Sequence, residues 1–213
     1  MISTGPKGSS IVERVDFALP PAAGTLGTSD SDSPSGSPDR TMSVSFEGAR
    51  GRVYLAPTTE PEAAALEAKS EWKPEVTISG SSQYLGVKPY GMHRFDQLFT
   101  QRQLAVLTTL SELVPTVRER VQKSPAIAGQ KDDMAPLHLG GTGNVAYADA
   151  IITCLSMCVS RQANRSATLN IWDQKGENVQ QVFGMQALRM TWDFVEGNPF
   201  SDSTGNFNGQ LQY

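Results

Sequence analysis

Two cysteines and two histidines in 213 residues leave little material for nucleophile, metal or disulfide chemistry. Cys154 and Cys158 stand four apart inside a helical pattern, which puts both side chains on one face. That spacing suits neither a disulfide framework nor a zinc ribbon, which needs paired C-x-x-C knuckles. The expectation is two buried thiols acting as small hydrophobes. His93 and His138 sit in unrelated contexts and no G-x-S-x-G elbow occurs, so a hydrolase site has no support. Asp132 with Asp133, and Asp193 with Glu196, are too sparse to specify a metal site and read as solvated charges.

Long apolar runs are also missing. The first twenty residues contain no signal-peptide core, and nowhere do about 18 apolar residues follow one another, so a soluble, cytoplasmic protein with no membrane partner is expected. A basic surplus is absent too: the net charge is −4, which argues against a freestanding nucleic-acid binder. The charge is uneven, however. Residues 30 to 80 are acidic on balance, whereas 86 to 125 carry Lys88, Arg94, Arg102, Arg118, Arg120 and Lys123 against Asp96, Glu112 and Glu119. This region reads either as one DNA-facing side or as a solvated helix face. No internal repeat is visible.

What is present is an ordinary globular composition, 38% hydrophobic and 19% charged. Ile11 to Leu19 partly alternates before Pro20 and Pro21 and predicts a strand. Thr25 to Thr41 is rich in Ser, Asp, Gly and Pro and has almost nothing to bury, so a disordered loop is expected. Ser43 to Phe46 and Arg52 to Ala56 flank a glycine-containing turn and predict a hairpin. Thr59 to Lys69 predicts a short helix, with Pro61 in its first turn and Glu60 and Glu62 at its positive end.

The clearest element is Asp96 to Lys123. Thr100 and Gln103 form a T-x-x-Q capping box, and Leu104, Leu107, Leu110, Leu113, Val114, Val117 and Val121 make one apolar stripe that must dock on a core. Pro115 should kink or restart the helix. A polar loop, Lys123 to Asn144, leads to a second helix from about Asn144 to Arg165, with Val145, Ala148, Ile151, Ile152, Leu155 and Val159 on its buried side. Gly140, Gly141 and Gly143 precede that helix and could offer amides to a phosphate. Their spacing matches neither a P-loop nor G-x-G-x-x-G. Ala167 to Trp172 and Leu188 to Val195 then predict strands, with a short helix near Val179 to Gly184 between them.

The segment Trp192 to Phe200 (WDFVEGNPF) is the most suggestive for chemistry. An Asn-Pro-aromatic turn sets an amide beside a flat ring, a combination that enzymes modifying a base amino group use on a flipped base. The alternative is a plain turn with Phe200 buried.

The stretch Tyr90 to Gln103 (YGMHRFDQLFTQRQ), continuing through LAVLTTLSELV, resembles a family of large bacterial and archaeal adenine-specific DNA methylases. Its members begin with a domain of unknown function, and some contain a zinc ribbon. The C-terminal stretch is similar as well: YADAI, RQANRSAT from Arg161 to Thr168, then W-D, F-G, Q-A, M-T-W-D-F, E-x-N-P-F-S-D and T-G-N. The resemblance covers approximately Val44 to Phe207.

The resemblance implies an α/β architecture, a partial Rossmann-like methyltransferase with helices packed on an incomplete sheet. It implies methyl transfer from S-adenosylmethionine to a DNA amino group, adenine N6 foremost. The family's D-P-F-A-G-G-G cofactor turn and catalytic D-P-P-Y turn are both absent from these 213 residues, as are zinc knuckles. The expected layout is a strand segment over 1–24, a flexible loop over 25–42, and the central part of a methyltransferase-like domain over 43–213. No catalytic residue, metal or bound cofactor is expected in this chain alone. Its expected partners are DNA, through the parent enzyme, and the rest of a methylase chain or a complementing subunit. Trp192, Asp193, Asn198, Pro199 and Phe200 are candidates to line a pocket. Arg102, Arg161, Arg165 and Arg189, with Lys88 and Arg94 behind them, are candidates for phosphate contacts or for ion pairs. The alternative function is a non-catalytic DNA-binding or scaffold module that complements a methylase chain.

Overall fold

The computed structural model describes residues 15–18, 41–48, 51–56, 59, 63, 67–124, 132–202 and 204–212. The strands β1 (Val15–Ala18), β2 (Thr41–Gly48) and β3 (Gly51–Leu55) come first. Helices α1 (Gln101–Gln122) and α2 (Asn144–Ala163) follow, then the short strands β4 (Trp172–Asp173), β5 (Asn178–Val179) and β6 (Phe194–Glu196). A last turn of helix, α3, spans Phe207–Gln210. The class is mixed helix and small sheet. Every ladder among the described strands is antiparallel: one sheet in the order β3-β2-β1-β6, and a two-stranded ribbon of β4 and β5.

The predicted hairpin is the β2–β3 pair, closed at Gly48↔Gly51. The Ile11–Leu19 strand is present over Val15–Ala18, where β1 also pairs with β6 through Phe17↔Val195. Most of the expected Ser/Asp/Pro-rich loop lies outside the described residues. Of the helix expected over Thr59–Lys69, Thr59, Ala63 and Glu67 are helical, and the positions between them fall outside the described residues except where these three stand.

Helix α1 starts where its capping box requires. Gln103 N donates to Thr100 Oγ1 at 3.2 Å, and Thr100 N donates back to Gln103 Oε1 at 2.9 Å. Two of the donors that a helix start leaves unpaired are thereby satisfied. The helix continues through Pro115 as one element. Its stripe docks on α2, but only Leu104 is fully buried, and Leu113 stays 49% exposed. The thiols depart from expectation: Cys154 is exposed, and Cys158 is half-buried and donates to Gln210 O at 3.3 Å. The two share a face, but only Cys158 lies under the helical turn that ends at Gln210.

The main core is built from irregular chain. Ile78, Leu85, Val87, Met92, Leu98, Leu169 and Leu188 form one buried cluster, with Phe95, Phe99, Val182 and Met190 packed on it. Backbone bonds over long separations hold it: Ile78 N to His93 O (2.8 Å), Thr168 N to Leu98 O (2.8 Å), Leu188 N to Tyr84 O (3.1 Å). Burying such side chains contributes roughly 1.5–3 kcal/mol each.

Three sequence expectations are corrected here. Ala167 to Trp172 is not a strand; Ala167 to Asn170 is a buried turn, and only Trp172–Asp173 pairs. The fully buried Asn170 causes this, because its Oδ1 accepts from Ala167 N and its Nδ2 donates to Asn164 O at 3.0 Å and to Gln180 O. A side chain that satisfies nearby backbone groups competes with a ladder. The helix expected over Val179 to Gly184 is replaced by β5 and turns, since Gln180 N donates to Ile171 O and Phe183 N to Asn164 Oδ1. The strand over Leu188 to Val195 shrinks to Phe194–Glu196, with a single parallel bridge, Leu85↔Leu188, before it.

One buried charge ties the core's edge to solvent conditions. Asp96 is 7% exposed and accepts from Arg94 Nε (2.9 Å) and Nη2 (2.8 Å), with Lys73 Nζ at 3.7 Å. The Arg94 hydrogen bond holds its carboxyl below the ordinary value of 3.8 against the opposing effect of burial. A carboxylate depressed in the folded state contributes stability above its unfolded value and loses it as pH falls through the folded one. The urea midpoint is therefore expected to drop between about pH 5 and about pH 2. Asp96→Asn should start lower at the upper pH and flatten that part of the titration; an unchanged slope would exclude Asp96 as its source.

Candidate functional site

Strand β6 turns Phe194 and Val195 inward, 1% and 0% exposed, while the residues flanking it stay at the surface. Trp192 is 53% exposed and Phe200 71%. The chain reverses at Asn198, whose Oδ1 accepts from Phe200 N at 2.9 Å and whose carbonyl accepts from Ser201 N and Oγ. Pro199 O accepts from Phe207 N at 2.8 Å, locking the turn to the start of α3. The Asn-Pro-Phe turn is thus formed, but the alternative with a buried Phe200 is corrected: the Asx turn aims the ring outward. An amide oxygen has two lone pairs, so the turn occupies only one on Asn198. Asp193 is exposed and Pro199 half-buried.

The four arginines divide. Arg102 on α1 makes a bidentate pair with Glu196 on β6, Nε to Oε1 at 3.0 Å and Nη2 to Oε2 at 2.6 Å, largely shielded from solvent. Arg165 donates from Nη1 to the carbonyl of buried Val179 and lies along Gly205. These two side chains join elements of the fold. Arg161, in the last turn of α2, and Arg189 are exposed. Much of the basic stretch is engaged internally as well: Lys88 Nζ on Gly80 O (2.8 Å), Arg94 on Asp96, Arg118 on Asp149. Arg118 and the Leu137 amide hold the Asp149 carboxyl below its ordinary range.

The glycine-rich turn before α2 is occupied by the chain's own carboxylate. Thr142 N donates to Asp133 Oδ2 at 2.8 Å, Ala135 N to Asp133 Oδ1 at 3.0 Å, and the Thr142 hydroxyl lies 3.3 Å away. Those bonds, the Thr142 amide first, lower the Asp133 carboxyl's affinity for a proton. The glycines serve close approach. A Cβ on Gly141 would stand 2.0 Å from Ala135 O, and one on Gly143 would stand 2.5 Å from Asp132 Oδ1. The turn therefore does not fit a cofactor phosphate or the carboxylate of S-adenosylmethionine. Among the described residues, no group of three His, Cys, Asp or Glu side chains could hold a metal ion. No helix there is long and apolar enough to cross a membrane.

Two features escape the sequence reading. A groove of about 420 Å³ runs between Trp72 and Pro74 on one side and Phe99, Leu104, Leu107 and Thr108 on the other. Ser70 fixes its near wall, its amide donating to Gln101 Oε1 at 3.3 Å and its hydroxyl to Trp72 O. Farther round the core, the rings of Tyr90 and Trp192 meet edge to face, with centroids 4.7 Å apart and planes at 81°. Tyr90 and Trp192 are 102 positions apart in sequence, roughly a third of a kilobase of coding sequence at three bases per residue, and no local periodicity links them.

No protein-family model matches the chain, and no curated protein or solved structure is significantly similar to it.

Proposed function

We infer that this chain is part of a DNA amino-methyltransferase, acting on adenine N6, whose methyl donor and target amine are handled by a separate segment bearing the two missing turns. The supporting observation is that the two stretches of family resemblance form one structural unit. Thr168 N and Oγ1 both donate to Leu98 O, Leu85 bridges Leu188, and Arg102 clamps Glu196. The partial Rossmann-like sheet that the resemblance implies for this chain is not found among the described strands, whose ladders are all antiparallel.

Among the described residues the glycine turn before α2 offers the methyl donor no cradle, because Asp133 fills it, so activity of the chain alone is not expected. The half-exposed apolar faces of α1 and α2, with Leu113 at 49% and Met157 at 63%, favour a second reading, a scaffold that completes a methylase on another chain.

Calorimetry of residues 1 to 213 with S-adenosylmethionine is expected to show no binding, and micromolar affinity would overturn the assignment of the donor site to another segment. The gene or its neighbours should encode both a D-P-P-Y turn and a glycine-rich acidic turn. Absence of both would remove the methyltransferase reading.

A further inference from the structure

Tyr90 and Trp192 sit at the rim of the main core, and their meeting buries neither. Tyr90 remains 45% exposed and Trp192 53%. An edge-to-face contact satisfies the ring quadrupoles. At 81° it also leaves a right-angled corner, one ring as floor and the other as wall. The backbone under the corner is fixed. Tyr90 N donates to Val87 O at 3.1 Å beneath a fully buried Val87, Leu188 N donates to Tyr84 O, and the Thr191 hydroxyl donates to Leu169 O at 3.3 Å. Rings held in this way lose little freedom when a ligand arrives.

We propose that the Tyr90–Trp192 corner is a stacking site for an unpaired base of single-stranded DNA. A flat heteroaromatic ring can lie face-on against one wall while turning its edge to the other. Arg189, three residues before Trp192, is exposed and Lys88, two before Tyr90, half-exposed; these are the cations offered to phosphates of the same strand, with the exposed Asp193 carboxylate opposing them. Lys88 Nζ rests on a neutral carbonyl, and neither Lys88 nor Arg189 is ion-paired among the described residues. Base stacking on aromatic side chains tolerates any base and combines with salt-sensitive backbone contacts. The identity of the polymer rests on the methyltransferase reading above; the stacking rests on the ring geometry.

The test is fluorescence anisotropy of a labelled single-stranded oligonucleotide of about 12 nucleotides with the full chain at low salt. Trp192→Ala and Tyr90→Ala should each weaken binding about ten-fold, and Trp192→Phe, which keeps a flat ring, by less than about three-fold. An abasic oligonucleotide of equal length should bind the unaltered chain about ten-fold more weakly and be indifferent to Trp192→Ala. Melting curves establish that each variant is folded. Equal affinity for base-containing and abasic strands, or wild-type binding by both folded alanine variants, would overturn the proposal. So would the absence of oligonucleotide binding, or preference for a proline-rich peptide. Each of these outcomes leaves the methyltransferase reading to its own test, the two turns in the gene, and a stacking corner would survive the loss of that reading.

Discussion

Gly141→Ala is expected to be among the most damaging single substitutions in the chain, lowering stability by roughly 3 kcal/mol or more. Its Cβ would stand 2.0 Å from the carbonyl oxygen of Ala135 and 2.6 Å from its carbon, both backbone atoms that cannot rotate away. Relief requires the 132–136 loop to lift, which breaks the bond from Thr142 N to Asp133 and the bond from Gly141 N to Pro136 O. The anchor of the same loop on α2, Leu137 N to Asp149 Oδ2 at 3.1 Å, would be strained with it. For a folded unit of this size the loss corresponds to a melting temperature lower by about 6–12 °C. Gly184→Ala is the control, because nothing lies within 4 Å of its Cβ and its backbone is not left-handed. Calorimetric melting of the two variants checks the prediction; equal melting temperatures would mean that the loop does not approach as closely as described.

Local chemistry was legible in the sequence wherever the partners are near neighbours. The Thr100–Gln103 box, three residues apart, marked the start of α1 and the apolar stripe its extent, whereas the restart expected at Pro115 does not occur and the helix runs on as one element. The hairpin was legible for the same reason. The region from Ala167 to Val195 was not. Its residues read as two strands around a short helix, yet their backbone partners lie far away: Thr168 on Leu98, Val195 on Asn170, Val182 on Asn164. Distance also hid the fate of the arginines, since Arg102 finds Glu196 at a separation of 94 residues. A cation's sequence neighbours do not show whether it is committed to the fold or open to a phosphate. The candidate corner was half legible: Trp192 stood out by composition, while Tyr90, its perpendicular partner, is brought beside it by tertiary structure, including the Leu85↔Leu188 bridge, that no local pattern shows. The glycines before α2 misled in a more specific way. They were legible as a turn with free amides, but Asp133, seven to ten positions upstream, already fills it.

Asn170→Asp tests the centre of the unit with almost no change of shape. Asn170 is fully buried, and its four hydrogen bonds tie the Asn164–Asn170 stretch to Gln180 and Val195: Oδ1 takes the Ala167 amide, Nδ2 gives to Asn164 O and Gln180 O, and its own carbonyl takes Val195 N at 3.0 Å. The substitution replaces a nitrogen that donates twice with an oxygen that cannot donate when ionised. Two carbonyl oxygens then face a carboxylate without a proton between them, in a site closed to water. A loss of roughly 3–5 kcal/mol at neutral pH is expected, the range for a buried charge stripped of its partner. The sign of the pH dependence distinguishes this cause from general misfit. Burial and the two carbonyls raise the proton affinity of the new carboxyl in the folded state above its unfolded value. Folding therefore takes up a proton, and stability should increase as pH falls from neutral towards the unfolded value of about 4. The protonated form restores one of the two donations, so recovery should be partial. Asn170→Leu, which lacks a titrating group, should be destabilised to a similar degree at all these pH values. Urea unfolding of both variants at about pH 7 and about pH 4.5 makes the comparison; parallel behaviour of the two would show that shape, and not the missing donor, sets the cost at this position.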